Sequence, residues 1–253
     1  MINKEEQKTI DNIKATPYMQ KTVALIDSFV KEHICKNKTT VYLLAFDEMF
    51  RILNEAKPFV DEYLIERKRK GEIKDEKQAL KSIAGNSFTQ ALVYLFLKNK
   101  EIGNIRTDIF ITSQITKVPS FKEIAVINVD GETQKPDCDL VIFSLNEDST
   151  MNKCMILSLK TSLRERAGQT YKWKLLMEIA TTDNPMKEKY KIQYNPEKIP
   201  LIAFATVNFY DQINKPQFRG MLKFFDKSFI ADKIDSDFIV RMSVLPNYVN
   251  EKL

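Results

Sequence analysis

The sequence predicts an α/β (α+β) protein: a helical N-terminal region over residues 1–83, then residues 84–253, in which a mixed central sheet is flanked by helices. Two observations carry this. Apolar residues recur at three- and four-residue steps through the first hundred positions, the period of a helix with one buried face. After Gly103 the pattern changes to short β-rich runs separated by turn residues, with helical stretches between them, which points to a mixed sheet with helices packed on it.

The elements follow in order. Val23, Leu25, Ile26, Phe29 and Val30 mark one helix, and Leu43 to Leu53 continue the same spacing. Pro58 is expected to start a short helix from Phe59 to Ile65, since proline is tolerated in a first turn. Glu66 to Gly71 is a charged break, read as a solvated helix end rather than a nucleic-acid patch. Asn86 to Lys98 is a further helix. Ile105 to Thr112 alternates like a strand. Ile124 to Val129 is β-rich and ends at Asp130-Gly131, a hairpin signal. Leu140 to Ser144 and Met155 to Leu159 are two strands joined by a polar turn, Asn146 to Thr150. A helix over Thr170 to Ala180, a strand over Ile199 to Val207, a helix over Phe218 to Phe225 and a last strand over Phe238 to Val244 complete the chain.

Scarcity narrows the chemistry. With His33 the only histidine, multi-histidine zinc sites and paired-imidazole relays are excluded, and a Ser-His-Asp triad would have to use a residue in an early helical segment. Cys35, Cys138 and Cys154 show no CxxC spacing, so neither a zinc site nor a disulfide framework is expected. Six glycines form no GxGxxG and no GxxxxGK[ST], which removes the usual nucleotide cradles. An enzyme of this composition works with carboxylates and lysines, and with a metal. The net charge of +5 permits a polyanionic partner without demanding one. No apolar run spans a bilayer and the first residues lack an apolar signal core, so a cytoplasmic protein is expected.

The informative stretch is Lys135-Pro136-Asp137-Cys138-Asp139-Leu140, followed by Leu157-Ser158-Leu159-Lys160. If Ser144 faces Lys153 across the turn, Asp137 lies opposite Lys160 and Asp139 opposite Ser158. Strand parity then puts these four on one face, and Cys138, Leu140, Ile142, Leu157 and Leu159 on the other. A register slip of one residue would destroy the arrangement. Two carboxylates beside a strand carbonyl, such as that of Leu159, suit hard Mg²⁺, and Lys160 is placed to orient a water. The bland alternative is an ordinary surface ion pair at a strand end. Downstream, Arg164-Glu165-Arg166, Gln169, Lys172 and Lys174 surround Tyr171 and Trp173. Arginine forks match guanine edges or phosphate oxygens, while the bland alternative is a solvated loop with internal salt bridges.

Pro136-Asp137 with Ser158-Leu159-Lys160, and the stretches Ser158 to Ala180 and Ala205 to Asp226, resemble type II restriction endonucleases of the PD-(D/E)xK superfamily over about residues 84–230. The usual acid two residues before the lysine is Ser158 here. A subgroup that cuts sites containing CCGG, the BsaWI-type enzymes among them, is similar in carrying Ser-x-Lys, with a glutamate of the following helix in place of the missing acid. The resemblance makes Glu178 that candidate, and makes Asp137, Lys160 and Glu178 the catalytic set. It implies Mg²⁺ held by Asp137, Asp139, the Leu159 carbonyl and Glu178. Which aspartate is the main ligand stays open. It also implies DNA contacts from Arg164, Glu165, Arg166, Gln169, Lys172 and Lys174. Gln90 occupies the place where other members carry a helix glutamate, and is read as a plain helix residue. The expected activity is Mg²⁺-dependent, sequence-specific cleavage of double-stranded DNA by a homodimer. The N-terminal helices would serve as dimer or DNA-cradle surface, and a methyltransferase would accompany the enzyme genetically. The other readings are a repair or RNA-processing nuclease on the same fold, or a non-catalytic nucleic-acid-binding module.

Overall fold

Five helices open the chain: α1 (Lys4–Ala15), α2 (Gln20–Glu32), α3 (Lys38–Asp47), α4 (Met49–Arg69) and α5 (Glu76–Glu101). The computed structural model describes residues 1–33, 37–163, 165–209, 212–234 and 236–253, with the side chains at 165–167 outside that description. Cys35 and Arg164 therefore lie outside the described residues, as do the side chains of Glu165 and Arg166.

Helix α1 starts at a capping box: the Asn3 side chain accepts from the Glu6 amide, and Glu6 accepts from the Asn3 amide. The stretch from Leu43 to Leu53 is two helices that meet at Glu48. Pro58, expected to start a short helix from Phe59 to Ile65, instead lies inside α4. An interior proline costs about 3 kcal/mol. Here the burial of Ile52, Leu53, Ala56, Val60 and Leu64 along the same helix offsets it. The charged run is a solvated helix end, as expected. Gly71 adopts φ +74°, the Glu72 amide donates to the Arg67 carbonyl, and Arg67, Arg69 and Lys70 pair with Glu72 or Glu66.

The second half holds β1 (Ile109–Thr112), α6 (Phe121–Ala125), β2 (Ile127–Val129), β3 (Glu132–Gln134), β4 (Leu140–Leu145), β5 (Met151–Lys160), α7 (Glu165–Thr181), α8 (Pro185–Lys189), β6 (Ile192–Gln193), β7 (Leu201–Thr206), α9 (Pro216–Leu222), β8 (Lys227–Ile230), β9 (Val240–Arg241) and α10 (Leu245–Lys252). The main sheet has the order β1-β4-β5-β7-β8-β9, antiparallel from β1 to β5 and parallel from β5 to β9. A small sheet, β3-β2-β6, turns at Asp130-Gly131, both with positive φ, as an Asp-Gly hairpin requires. The predicted strands at 105–112 and 124–129 are shorter than expected. The first is strand only from Ile109, and the second begins as α6. The strand expected at Phe238 to Val244 is only the two residues of β9, followed by a 3-10 turn that leads into α10.

Two apolar layers enclose the main sheet. One joins α1–α5 and α10 to Leu140, Ile142, Met155, Leu157 and Leu159. The other joins α6, α7 and α9 to Val141, Phe143, Ile156 and Phe204. Burial on both sides explains why β4 and β7 read as nearly unbroken apolar runs. Helix α5 runs through residue 84, and its Phe88, Leu92 and Phe96 share a layer with the sheet. The boundary expected between residues 83 and 84 falls inside this helix. Among the described residues, no helix is long and apolar enough to cross a membrane.

Candidate active site

The strands β4 and β5 pair Leu140 with Leu157 and Ser144 with Lys153, the register expected from the turn. Asp137 and Asp139 lie just ahead of β4, in irregular backbone, and Lys160 is the last residue of β5. The register therefore delivers both acids to the carboxyl end of β5, where β7 runs parallel to it and ligand sites of open sheets gather.

The acids converge on one ammonium. Lys160 Nζ lies 2.7 Å from Asp137 Oδ2 and 2.9 Å from Asp139 Oδ2. Asp139 Oδ2 also accepts from the Leu159 amide at 2.7 Å and from Ser158 Oγ at 3.4 Å. The Lys160 side chain is 8% exposed, while Asp137 and Asp139 are about one-third exposed, at 37% and 32%. The lysine stem is thus packed in the sheet and its head emerges between the carboxylates. An exposed ion pair contributes little to stability. This one is partly buried, held by a backbone amide, and open to solvent on its acidic side.

Cys138 departs from the expected face. It packs with Val141, Phe143 and Ile156, on the α7 side, because the backbone leaves strand geometry at Asp139. Burial pushes its thiol up to about 12, and the neighbouring Asp139 and Asp137 add to this. Its Sγ donates to the Leu140 carbonyl at 3.5 Å.

Glu178 and Lys174 belong to a separate cluster. Lys174 Nζ pairs with Glu178 at 2.6 Å and with Asp226 at 2.9 Å, and Asp226 Oδ2 also accepts from the Ile202 amide. Burial works against the Lys174 charge, but the two carboxylates outweigh it and hold its proton more tightly than in water. Ile202 pairs with Ile156, four positions before Lys160, which is about 13 Å along β5 at a strand's rise per residue. The structure does not bring Glu178 to Asp137 and Lys160, and it buries Lys174 between acids rather than presenting it to a ligand. The i,i+4 spacing of Lys174 and Glu178 was the available signal for this pair. Asp226 carried none.

Gln169 and Lys172 do reach the site. With Lys135, Pro136, Asp137 and Trp173 they line a cleft of about 400 Å³ between the β3–β4 connection and α7. Gln90 lies on α5 and donates to the Tyr18 hydroxyl at 2.7 Å, a helix residue as expected. Thr170, which sequence reasoning missed, meets Ser158 Oγ at 2.9 Å.

Among the described residues, no group of three or more His, Cys, Asp or Glu side chains is placed to hold a metal. The donor set is the two carboxylates of Asp137 and Asp139. That fits a hard divalent cation that keeps several waters or takes substrate oxygens, and it does not fit a soft one.

A family model described as BsaWI restriction endonuclease type 2 matches residues 114–247. No curated protein matches the chain. The match covers just over half the chain and includes Asp137, Asp139, Ser158, Lys160, all of α7, and Asp226. On that extent, the chain belongs to the BsaWI type 2 restriction endonuclease family.

Proposed function

We propose that the chain is a Mg²⁺-dependent type II restriction endonuclease of the PD-(D/E)xK superfamily, hydrolysing phosphodiester bonds of double-stranded DNA at Asp137, Asp139 and Lys160. The observation that carries this is the convergence of both carboxylates within 2.9 Å of Lys160 Nζ at the end of β5. Asp137, Asp139 and the Leu159 carbonyl would hold the cation. When bound, Mg²⁺ stabilises charge that develops on the phosphate during in-line displacement. Lys160, an ammonium with three donors on a buried stem, orients the attacking water and a phosphate oxygen. Glu178, paired with Lys174 beside Asp226, holds α7 in place rather than supplying the acid missing at Ser158.

Gln169 and Lys172, with Lys135, would meet the DNA strand beside Asp137. Arg164, Glu165 and Arg166 would read the site, of the CCGG type by their resemblance. A homodimer would match a palindromic target and cut both strands. Phage DNA incubated with the protein and Mg²⁺ is expected to give discrete bands, and sequenced ends would give the site. Smears would point to a repair or RNA-processing nuclease instead, and intact DNA with every divalent metal tried would overturn the proposal.

The N-terminal helices supply a DNA cradle in this reading. A cleft of about 710 Å³ between α1, α5 and the end of β1 is lined by Lys4, Lys8 and Lys117, the last 3.9 Å from Glu5, which also lines it. It includes Ser113, next to Thr112, which pairs with Val141 two residues beyond Asp139. Each phosphate contact contributes roughly 0.9 to the slope of log K against log salt. The Lys4→Glu/Lys8→Glu variant is expected to lower that slope by about 2; an unchanged slope would move the duplex off this cleft.

A further inference from the structure

We propose that Thr170 and Ser158 form a positioning pair that fixes the Asp139 carboxylate and ties it to α7, the helix that faces the DNA. This rests on the nuclease reading above. The two residues are each 1% exposed, their hydroxyls lie 2.9 Å apart, and Ser158 Oγ lies 3.4 Å from Asp139 Oδ2.

The direction of the chain follows from chemistry. A carboxylate only accepts, and a serine has one proton to give. Ser158 therefore donates to Asp139 and accepts from Thr170. Buried hydroxyls are unfavourable unless paired, so an apolar pair would pack here at less cost. What the hydroxyls add is orientation. With Oδ2 engaged by the Leu159 amide, Lys160 and Ser158, the carboxylate cannot rotate freely, and among the described residues its other oxygen is left for a cation. Partners that orient a ligating carboxylate tune metal affinity in this way.

The second half of the inference is the coupling to α7. Thr170 lies between Gln169 and Lys172, which line the cleft that contains Asp137. A shift of α7 on meeting DNA would move the Thr170 hydroxyl and, through Ser158, the carboxylate. Ser158 thus occupies the place of the superfamily's usual acid as a link between helix and ligand rather than as a ligand.

The test compares Thr170→Val, Thr170→Ser and Ser158→Ala with the unaltered protein. Mn²⁺ binding to the protein alone is followed by electron paramagnetic resonance, and cleavage is followed as Mg²⁺ is titrated. Thr170→Val and Ser158→Ala are expected to weaken Mn²⁺ binding about tenfold. They should raise the Mg²⁺ needed for half-maximal cleavage by a similar factor, with much of the rate recovered at saturating Mg²⁺. Thr170→Ser should restore both. Wild-type Mn²⁺ affinity and Mg²⁺ response in Thr170→Val and Ser158→Ala would overturn the pair. So would a Thr170→Ser variant as impaired as Thr170→Val, since packing alone would then explain the loss. If one valine or alanine variant fails to fold, the other carries the same prediction. An unaltered protein that leaves DNA intact with every divalent metal would remove the nuclease reading, whereas one that cleaves with no divalent metal would remove the metal role of Asp139 and overturn this inference alone.

Discussion

Lys160→Ala is expected to lower cleavage by about 10²–10³-fold, the usual loss when one preorganised donor is removed from a hydrolytic site, while DNA binding persists. The geometry makes the prediction sharper than a simple loss. Lys160 Nζ is the cation that Asp137 and Asp139 share. Without it, two carboxylates face each other with no neutralising charge, and like charges at close range favour any divalent ion that can sit between them. Mn²⁺ binding to the variant should therefore be retained or tightened as cleavage disappears. Asp139→Asn should do the reverse and lose metal binding and cleavage together: the new side chain can still accept from the Leu159 amide, but the change removes one of the two charged oxygen donors proposed for the cation. Glu178→Gln, remote from this centre, should cleave within about tenfold of the unaltered protein. A Lys160→Ala protein that cleaves normally, or that loses metal binding, would break the assignment of roles.

The centre was legible in the sequence because its geometry is local. Two adjacent strands joined by a five-residue polar turn have few registers that keep Leu140, Ile142 and Leu157 buried, and the observed one is among them. Parity then places Asp139 and Lys160 without knowledge of the rest of the fold. It fails at Cys138, where the chain leaves the strand and periodicity no longer applies. Pro58 misled for a related reason. The rule for a first turn is about local cost, and the long apolar face of α4 overrides it through tertiary burial. Glu178 shows the limit most plainly. Its neighbours on α7 are visible in the sequence, but the group that sets its surroundings is Asp226, which meets Lys174 across 52 residues of chain. Helical spacing shows which residues share a face; it does not show what that face meets.

Lys100→Met is expected to destabilise the fold by about 3–5 kcal/mol, the loss typical of removing one partner from a buried ion pair. Lys100 is 1% exposed and pairs with Glu6 at 2.5 Å, and its ammonium lies 4.0 Å from the centre of the Phe110 ring. One side chain thus joins α1, α5 and β1. Burial lowers the proton affinity of this amine, and Glu6 opposes the shift. The folded protein therefore releases the Lys100 proton at lower pH than the unfolded chain. Between those two values the unfolded chain binds more protons, so this residue's contribution to stability rises with pH there. Lys100→Met removes that alkaline gain and leaves the Glu6 carboxylate buried without its cation. Most of the loss comes from that stranded charge. Lys100→Met/Glu6→Gln should accordingly be more stable than Lys100→Met alone, since a glutamine can still accept from the Asn3 amide at the start of α1. Denaturant melts of the two variants check this: a double variant no more stable than Lys100→Met would show that packing of the lysine stem, not the orphaned carboxylate, sets the loss.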